Sequence, residues 1–340
     1  MYLGIEIGGT KLQLGIGTGG NLEALERRDV DISAGAEGIR AQIEAVGRIV
    51  CQRYPIEAVG YGFGGPVNSA DGTVVTSHQV SGWDNFPLRK WTEDLFSVPV
   101  HLGNDCDAAA IAEARFGAGA GQQVVFYVTV GTGVGGGLVI GGELHGLSDS
   151  QARPLASAEI GHLRPGLIAE NAHHTVESIS SGMGIETRVR EQIQFNTQHP
   201  VLDGQEIPTQ ELEASFEDDR FDLTSRCSGD LEQLTAQMIA EAAADGNGLA
   251  LCAIDESVRT LGWAIGQVVS LTAPSIVVVG GGVSLMDETL FYLPLREYAK
   301  QYVFPPLRDR FEIVPPTLGE EVVVHGALAF AEGAKGSPKS

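Results

Sequence analysis

The most constraining feature of this sequence is a glycine-rich hairpin pattern that occurs twice. Residues 2–22 read YLGIEIGGTKLQLGIGTGGNL: an apolar strand, a Gly-Gly-Thr turn, a second strand and a Gly-Gly turn. Residues 124–144 repeat the plan as VVFYVTVGTGVGGGLVIGGEL. In each copy, segments of alternating apolar residues flank a turn that only small residues tolerate. The duplication predicts two related β-hairpins, one in each half of the chain.

Both turns have the chemistry of an anion site. Glycine lets main-chain N–H groups approach a ligand closely, and a hydroxyl group, that of Thr10 or Thr132, lies within each turn. Two such turns facing each other across a cleft would grip a polyphosphate from both sides. This arrangement is typical of an actin-like, sugar-kinase-like ATP site. The predicted phosphate-binding residues are Gly8, Gly9, Thr10, Lys11, Thr132 and Gly133.

Two other types of nucleotide site are disfavoured. The segments 131–136 and 15–20 both fit the dinucleotide pattern G-x-G-x-x-G, which requires a helix to open at the last glycine. The residues that follow, LVIGGEL and NLEALER, lack a helical pattern, although the second could hold a short helical turn. A Walker A loop, G-x-x-x-x-G-K-[ST], is absent from the sequence.

Length and composition limit the class of protein. The chain has 340 residues, enough for two ordinary domains, and 43% hydrophobic with 19% charged residues is typical of a globular protein. No apolar run approaches the ~20 residues that span a bilayer. The four cysteines show no metal or redox spacing, and the first strand begins at once. We therefore expect a cytoplasmic protein without a signal peptide or a membrane partner.

The net charge of −22 works against binding to polyanions. Nucleic-acid binding depends largely on neutralising phosphates, so no nucleic-acid partner is expected. Binding of ATP in this field requires local positive potential from N–H dipoles, Mg²⁺ and Lys11.

The pattern along the chain predicts two α/β domains. Residues 1–117 with a C-terminal helix at about 325–334 form the smaller one, and residues 118–324 form the larger. The acidic stretch 203–222 is interpreted as a surface insertion, and 148–156 as a polar loop. Helices are predicted over 39–50, 87–96, 108–115, 181–194, 231–270 (with breaks), after 280–282, and over 326–332. Strands are predicted over 58–63, 73–75, 98–102 and 276–279.

Asp105 is the predicted general base for a phosphoryl transfer. A carboxylate at the end of a strand, whose backbone opens a helix, is rigidly aimed and is kept ionised by the helix N-terminus. An Asn-Asp pair before an alanine-rich helix is also an ordinary N-cap. Asn104 could cap the helix while Asp105 serves as base, and Asp107 competes for either role.

Other polar residues suit a metal and a polyol. Glu6 lies in the first strand, one residue before the turn, where its carboxylate could hold Mg²⁺ through water. Glu159, His162 and Glu177 offer the mixture of acceptors and donors that sugar hydroxyls need. No cysteine stands near the histidines, so a zinc site is not supported.

With these residues identified, the chain resembles the ROK family of sugar kinases and sugar-responsive repressors over nearly its whole length. The segments that carry the resemblance are, in order, GIEIGGTK, GFGGPVNSADGTV, GWDNFPL, GNDCDAAAIAEA, VGTGVGGGLVIGGEL, AEIGH, ESISSG, PSIVVVGGGVS and GEEVVVHGALA.

The resemblance implies an α/β fold of the actin-like, ribonuclease H-like ATPase type, with two domains and a central cleft. It implies ATP-dependent phosphorylation of a hexose, often at the 6-hydroxyl, by a homodimer. It assigns the base to Asp105 and adenosine contacts to the region of Gly281 and Gly282. The sugar contacts that it implies are Gly65, Asn104, Glu159, His162 and Glu177.

The sequence departs from the family pattern at several points, among them a loop before Glu159, residues 148–158, that is longer than usual. The cysteine-rich zinc loop is missing, so His162, a metal ligand in zinc-bearing members, must be oriented in another way. Glu6 replaces the usual aspartate of the first motif. Gln79 stands where an asparagine that contacts the sugar is expected, four residues before Trp83. These departures leave open which hexose binds, and polyphosphate could replace ATP as the donor.

Two other functions remain to be weighed against a kinase. A catalytically silent sugar-binding sensor of the same fold is one, motivated by the missing zinc loop, Glu6 and Gln79. A DNA-binding repressor is the other, but repressors need an N-terminal helix-turn-helix, and this chain begins in its first strand.

Overall fold

The computed structural model describes residues 1–77, 79–146, 158–166, 173–195 and 209–335. Its first sheet has the strand order β3-β2-β1-β4-β7, in which β1 is antiparallel to β2 and parallel to β4. The strands of this sheet are β1 (Tyr2–Ile7), β2 (Lys11–Thr18), β3 (Asn21–Asp29), β4 (Ala58–Phe63) and β7 (Val100–Asn104). A small ribbon of β5 (Val67–Asn68) and β6 (Thr73–Val74) accompanies it.

Four helices belong with the first sheet. They are α1 (Gly35–Arg53), α2 (Leu88–Phe96), α3 (Asp105–Phe116) and α10 (Val322–Lys335). Helix α10 contacts β1, β4 and α3. It approaches the sheet closely because Gly4 of β1 and Gly60 of β4 leave no Cβ where its backbone lies. The adjoining core contains buried side chains such as Leu3, Ile5, Tyr61, Phe63 and Trp83.

The second sheet has the strand order β10-β9-β8-β11-β12. Its strands are β8 (Val124–Val130), β9 (Val134–Ile140), β10 (Glu143–Leu144), β11 (Ile276–Gly280) and β12 (Glu312–Val314). The accompanying helices are α4 (Val176–Ser180), α5 (Gly182–Phe195), α6 (Thr209–Arg226), α7 (Ala236–Ala244), α8 (Gly248–Thr272) and α9 (Tyr292–Tyr302). Helix α8 is central among them, since it contacts α4, α5, α6, α7 and α9.

The chain divides into two compact units. Unit 1 comprises residues 1–127, 136–159 and 316–340, and unit 2 comprises residues 128–135 and 160–315. The division passes within β8 and β9, whereas the sequence pattern predicts a boundary at residue 117.

The structure confirms most of the predicted elements. The glycine patterns at 15–20 and 131–136 lead into strands β3 and β9 and not into helices, which removes the dinucleotide alternative. The helix predicted after 280–282 is α9, which a 3-10 turn at Gly282–Leu285 precedes. Helix α6 begins within the acidic stretch 203–222 and ends beyond it at Arg226. Residues 148–156 and 203–208 lie outside the described residues.

Candidate active site

The turn between β1 and β2 is compact and partly covered by a side chain. The N–H of Gly8 donates to the carbonyl of Lys11 over 3.0 Å, and the hydroxyl-bearing Thr10 is exposed. The side chain of Gln79 lies against Gly9, so closely that a Cβ on Gly9 would collide with its amide. The structure thus brings Gln79, a predicted sugar contact, to the predicted phosphate turn of unit 1.

Glu6 is held by a network that the sequence analysis missed. Across the hairpin its register partner is Gln13, whose amide nitrogen donates to Glu6 Oε2 over 2.6 Å. Lys11 Nζ lies 3.5 Å from Glu6 Oε1, and Arg27 Nε donates to Gln13 Oε1. Burial raises the pKa of the Glu6 carboxyl, against the opposing effect of Lys11. Aligning the predicted hairpin strands residue by residue would have found Gln13.

Asn104 and Asp105 lie at the junction of β7 and α3. Asn104 Oδ1 accepts the N–H of Cys106 over 2.8 Å, so Asn104 is the N-cap of α3. Its amide donates to the carbonyl of Gly65 over 3.1 Å, which ties two predicted sugar contacts together. The carboxylate of Asp105 lies beside Gly64: a Cβ added to Gly64 would be 3.4 Å from Asp105 Oδ2. Asp105 Oδ1 accepts the same Cys106 N–H over 2.9 Å, so Asp105 Oδ2 is the oxygen that lies near the glycine turn.

The surroundings of Asp105 shift its titration towards neutral pH. Burial raises its pKa to about 6, with a smaller contribution from the negative charge of Glu6, while hydrogen bonds from Cys106 act against the rise. A carboxylate with this pKa is mostly ionised at pH 7.5 and still basic enough to accept a proton. Asp107 is buried with its carboxylate near Gly137 of β9. The carboxylate of Asp105 lies instead near Gly64, so the two carboxylates face different segments of the chain.

Glu159 belongs to the same region of unit 1. Burial raises the pKa of the Cys106 thiol well above its usual value, and the carboxylates of Asp105, Asp107 and Glu159 add to this rise. Glu159 is itself exposed. Gly65, Asn104, Asp105 and Glu159 therefore gather around the N-terminus of α3.

The second predicted phosphate turn lies in unit 2 and is held on several sides. The carbonyl of Gly131 accepts the N–H of Gly182 over 2.8 Å. Glu177 Oε2 accepts the N–H of Val134 over 2.9 Å and lies 2.5 Å from the position that a Cβ on Gly133 would take. Gly281 has a positive φ of 92° and packs on the backbone of Val130, which only glycine allows without strain. Thr132 is exposed at the tip of the turn.

A cavity of about 1040 Å³ opens beside this turn, and its described lining belongs to unit 2. Gly131, Thr132 and Gly282 line one end, and a Cβ on Gly131 or Gly282 would meet nothing within 4 Å. One wall is the small-residue face of α7, formed by Ala236, Ala240 and Ala244. Apolar side chains face the cavity from elsewhere, among them the exposed Met183 and Leu285. The space and its lining fit a nucleotide whose flat base lies against apolar surface and whose phosphates meet the glycine turn.

His162 ends a 3-10 turn, Ile160–His162, and is exposed, as are His173 and His174. Within the part of the chain that the structure describes, no group of three or more His, Cys, Asp or Glu side chains could hold a metal ion. Nor does any helix in these described ranges have the length and apolar character needed to cross a bilayer.

The fold and these residues together define an α/β protein of two compact units with two related glycine-rich hairpin turns. The chain belongs to the ROK family, whose model matches residues 2–334. The glucokinase of Thermotoga maritima is 27% identical over 336 residues, 96% of each chain. The fold is the actin-like ATPase fold predicted from the sequence, shared with known ROK glucokinase structures.

Solved structures extend the comparison. A ROK family glucokinase from Streptomyces griseus, in complex with glucose and AMPPNP, matches with a TM-score of 0.74 and 28% identity over 98% of this chain and 99% of that one. A ROK family transcriptional regulator, homologous to the E. coli MLC protein, matches with a TM-score of 0.74 at 20% identity, covering 98% of this chain and 78% of that one. The second likeness shows the fold alone. The similarity to glucokinases supports a sugar kinase.

Proposed function

We propose that this protein is an ATP-dependent sugar kinase that transfers the γ-phosphate to a hexose hydroxyl, the 6-hydroxyl in a glucokinase-like reaction. Asp105 is the general base and accepts the hydroxyl proton as the new O–P bond forms, while the bond from the γ-phosphorus to the bridging oxygen breaks and ADP leaves. The single observation that carries this proposal is the Asp105 carboxylate, placed beside Gly64 with a pKa of about 6.

Different residues are proposed to bind the acceptor, a hexose, and the donor, a nucleotide. In unit 1, Gly65, Gln79, Asn104 and Glu159 are the proposed hexose contacts, and His162 and Glu177 are those of unit 2. Groups that accept and donate hydrogen bonds suit a polyol. For the nucleotide, we propose the unit 2 cavity for the base and the turns at Gly8–Lys11 and Thr132–Gly133 for the phosphates.

Magnesium fits this site only as an ion that arrives with the nucleotide. Both Glu6 oxygens are engaged by Gln13 and Lys11, so Glu6 would face Mg²⁺ through water. Bound Mg²⁺ would neutralise charge on the phosphates. The homodimer and the cytoplasmic location stay predictions.

A coupled assay for ADP release over a panel of hexoses tests the proposal. The panel contains glucose, mannose, fructose and N-acylated hexosamines. In a parallel series polyphosphate replaces ATP, and there the sugar phosphate is measured because polyphosphate yields no ADP. We expect turnover with at least one hexose. In Asp105→Asn, kcat should fall by about 10²–10⁴-fold because the proton acceptor is lost, while hexose binding persists.

The matched control is Asp94→Asn, the same chemical change at an exposed position of α2. It should leave kcat unchanged. Retained turnover in Asp105→Asn would contradict the assignment of the base. Hexose binding without formation of a sugar phosphate, for every sugar and both donors, would instead favour the silent sensor, for which the hydrogen bond and ion pair of Glu6 are the supporting observation.

A further inference from the structure

The turn at Gly131–Val134 has contacts with both segments of unit 2 that carry predicted hexose contacts. Glu177 of α4 accepts the Val134 N–H over 2.9 Å. Gly161, which precedes His162, packs directly on the carbonyl of the same Val134, where any Cβ would collide. Val134 is thus held at its N–H by one segment and at its carbonyl by the other.

The Glu177 carboxylate is positioned to serve two partners. Its Oε2 is taken by the turn, while no hydrogen bond to Oε1 is found among the described residues. Glu177 is half-buried, so Oε1 remains open to a ligand hydroxyl. Because α4 begins with a capping box at Thr175, the backbone that carries Glu177 is fixed.

We infer that Glu177 is a positioning residue that couples hexose binding to nucleotide binding. A hexose hydroxyl that donates to Oε1 fixes the side chain in the conformation in which Oε2 holds the Val134 N–H. The turn that receives the phosphates through Thr132 and Gly133 is then already ordered when the nucleotide arrives. The conformational cost of ordering Glu177 and the turn is met once and shared by both ligands, so each tightens the binding of the other. This inference rests on the proposed function.

Isothermal titration of AMPPNP, with Mg²⁺, in the absence and presence of saturating hexose tests the coupling. The hexose is the one selected by the turnover panel. For the unmodified protein we expect hexose to tighten AMPPNP binding at least about 5-fold, within the usual range of coupling between sites. Titration of hexose with and without AMPPNP must give the same factor, because coupling of affinities is reciprocal.

Three variants separate the coupling from a merely structural role. In Glu177→Gln the amide oxygen still accepts the Val134 N–H, so AMPPNP affinity without hexose should stay within about 2-fold, but the coupling factor should fall towards one. In Glu177→Ala both are lost, and AMPPNP binding weakens even without hexose. Glu191→Gln, an exposed position of α5, is the matched control and should keep the full factor.

The outcomes are distinguishable. An unmodified protein whose two ligands bind and react but show no mutual effect overturns the coupling and leaves the kinase proposal intact. Full coupling in Glu177→Gln also overturns it. A protein that binds neither ligand overturns the proposed function and this inference together. Loss of coupling in Glu177→Gln, with its melting temperature unchanged, supports the role of Glu177.

Discussion

Asp105 illustrates how opposing effects on one side chain set its chemistry. Burial disfavours the charged carboxylate and raises its pKa to about 6, although hydrogen bonds from the backbone N–H and the side chain of Cys106 favour the ionised form. The same hydrogen bonds that restrict its conformation thus keep the pKa from rising further. Asn104 is the N-cap of α3, and its Oδ1 shares the Cys106 N–H with Asp105 Oδ1. The sequence could place the pair at the helix start, but the desolvation depends on residues from other elements.

The pH dependence of the reaction follows from this pKa. A general base acts only when ionised, so we expect kcat/KM to be level above about pH 7 and to fall by up to tenfold per unit as the pH drops below about 6. Steady-state kinetics between pH 5 and pH 8.5 measure the profile, with circular dichroism to verify folding. A flat profile across pH 5–7 would contradict Asp105 as the base.

At the scale of elements, the contact between α3 and α10 determines where Asp105 stands. Gly326 of α10 lies on the backbone of Ala108 in α3, at a separation that leaves no room for a Cβ. Helix α10 also covers β1 and β4 through Gly4 and Gly60. The final helix was predicted from its apolar residues. The sequence did not predict which helix α10 packs against, because a glycine inside a helix does not indicate which neighbouring element needs the space.

Two glycine substitutions in α10 test this packing against each other. Gly326→Ala should lower the free energy of unfolding by about 1–3 kcal/mol, because the added methyl forces α10 away from α3. Gly333→Ala, in the same helix, meets nothing within 4 Å and should be neutral or stabilising by up to about 1 kcal/mol. Chemical denaturation midpoints give the comparison. Equal midpoints for the two variants would show that the helices are not in close contact at Gly326.

At the scale of the whole molecule, the net charge of −22 opposes an anionic nucleotide. The field of the protein extends over roughly 30 Å at 10 mM salt but only about 8 Å at 150 mM. We expect the KM for ATP to fall as the ionic strength rises over this range at constant free Mg²⁺, because screening weakens the repulsion. The KM for the uncharged hexose is the internal control and should stay constant. A rise in the KM for ATP would mean that local positive groups outweigh the net charge.

Local patterns were enough to identify much of this protein from its sequence. Alternating apolar residues and glycines predict the two hairpins, because strand periodicity and tight turns depend on neighbouring residues. The Asn104-Asp105 pair and the order of several motifs pointed to the family, to which the chain belongs. The third strand, β3, and the helix α6 were not predicted, since their alternation and apolar periodicity are weak.

What the sequence determined by itself was therefore the local structure and the inventory of reactive groups. Only the tertiary structure decided which of these groups meet. It brings Glu177 to Val134 and Gln79 to Gly9. It also places the buried Glu113 where its carboxylate accepts the N–H groups of Ala118, Thr317 and Leu318. It also formed the cavity of unit 2 from α7 and turns distant in the sequence. The reason is physical: turns and periodicity are set by adjacent residues, whereas these contacts exist only once segments far apart in the chain have packed together.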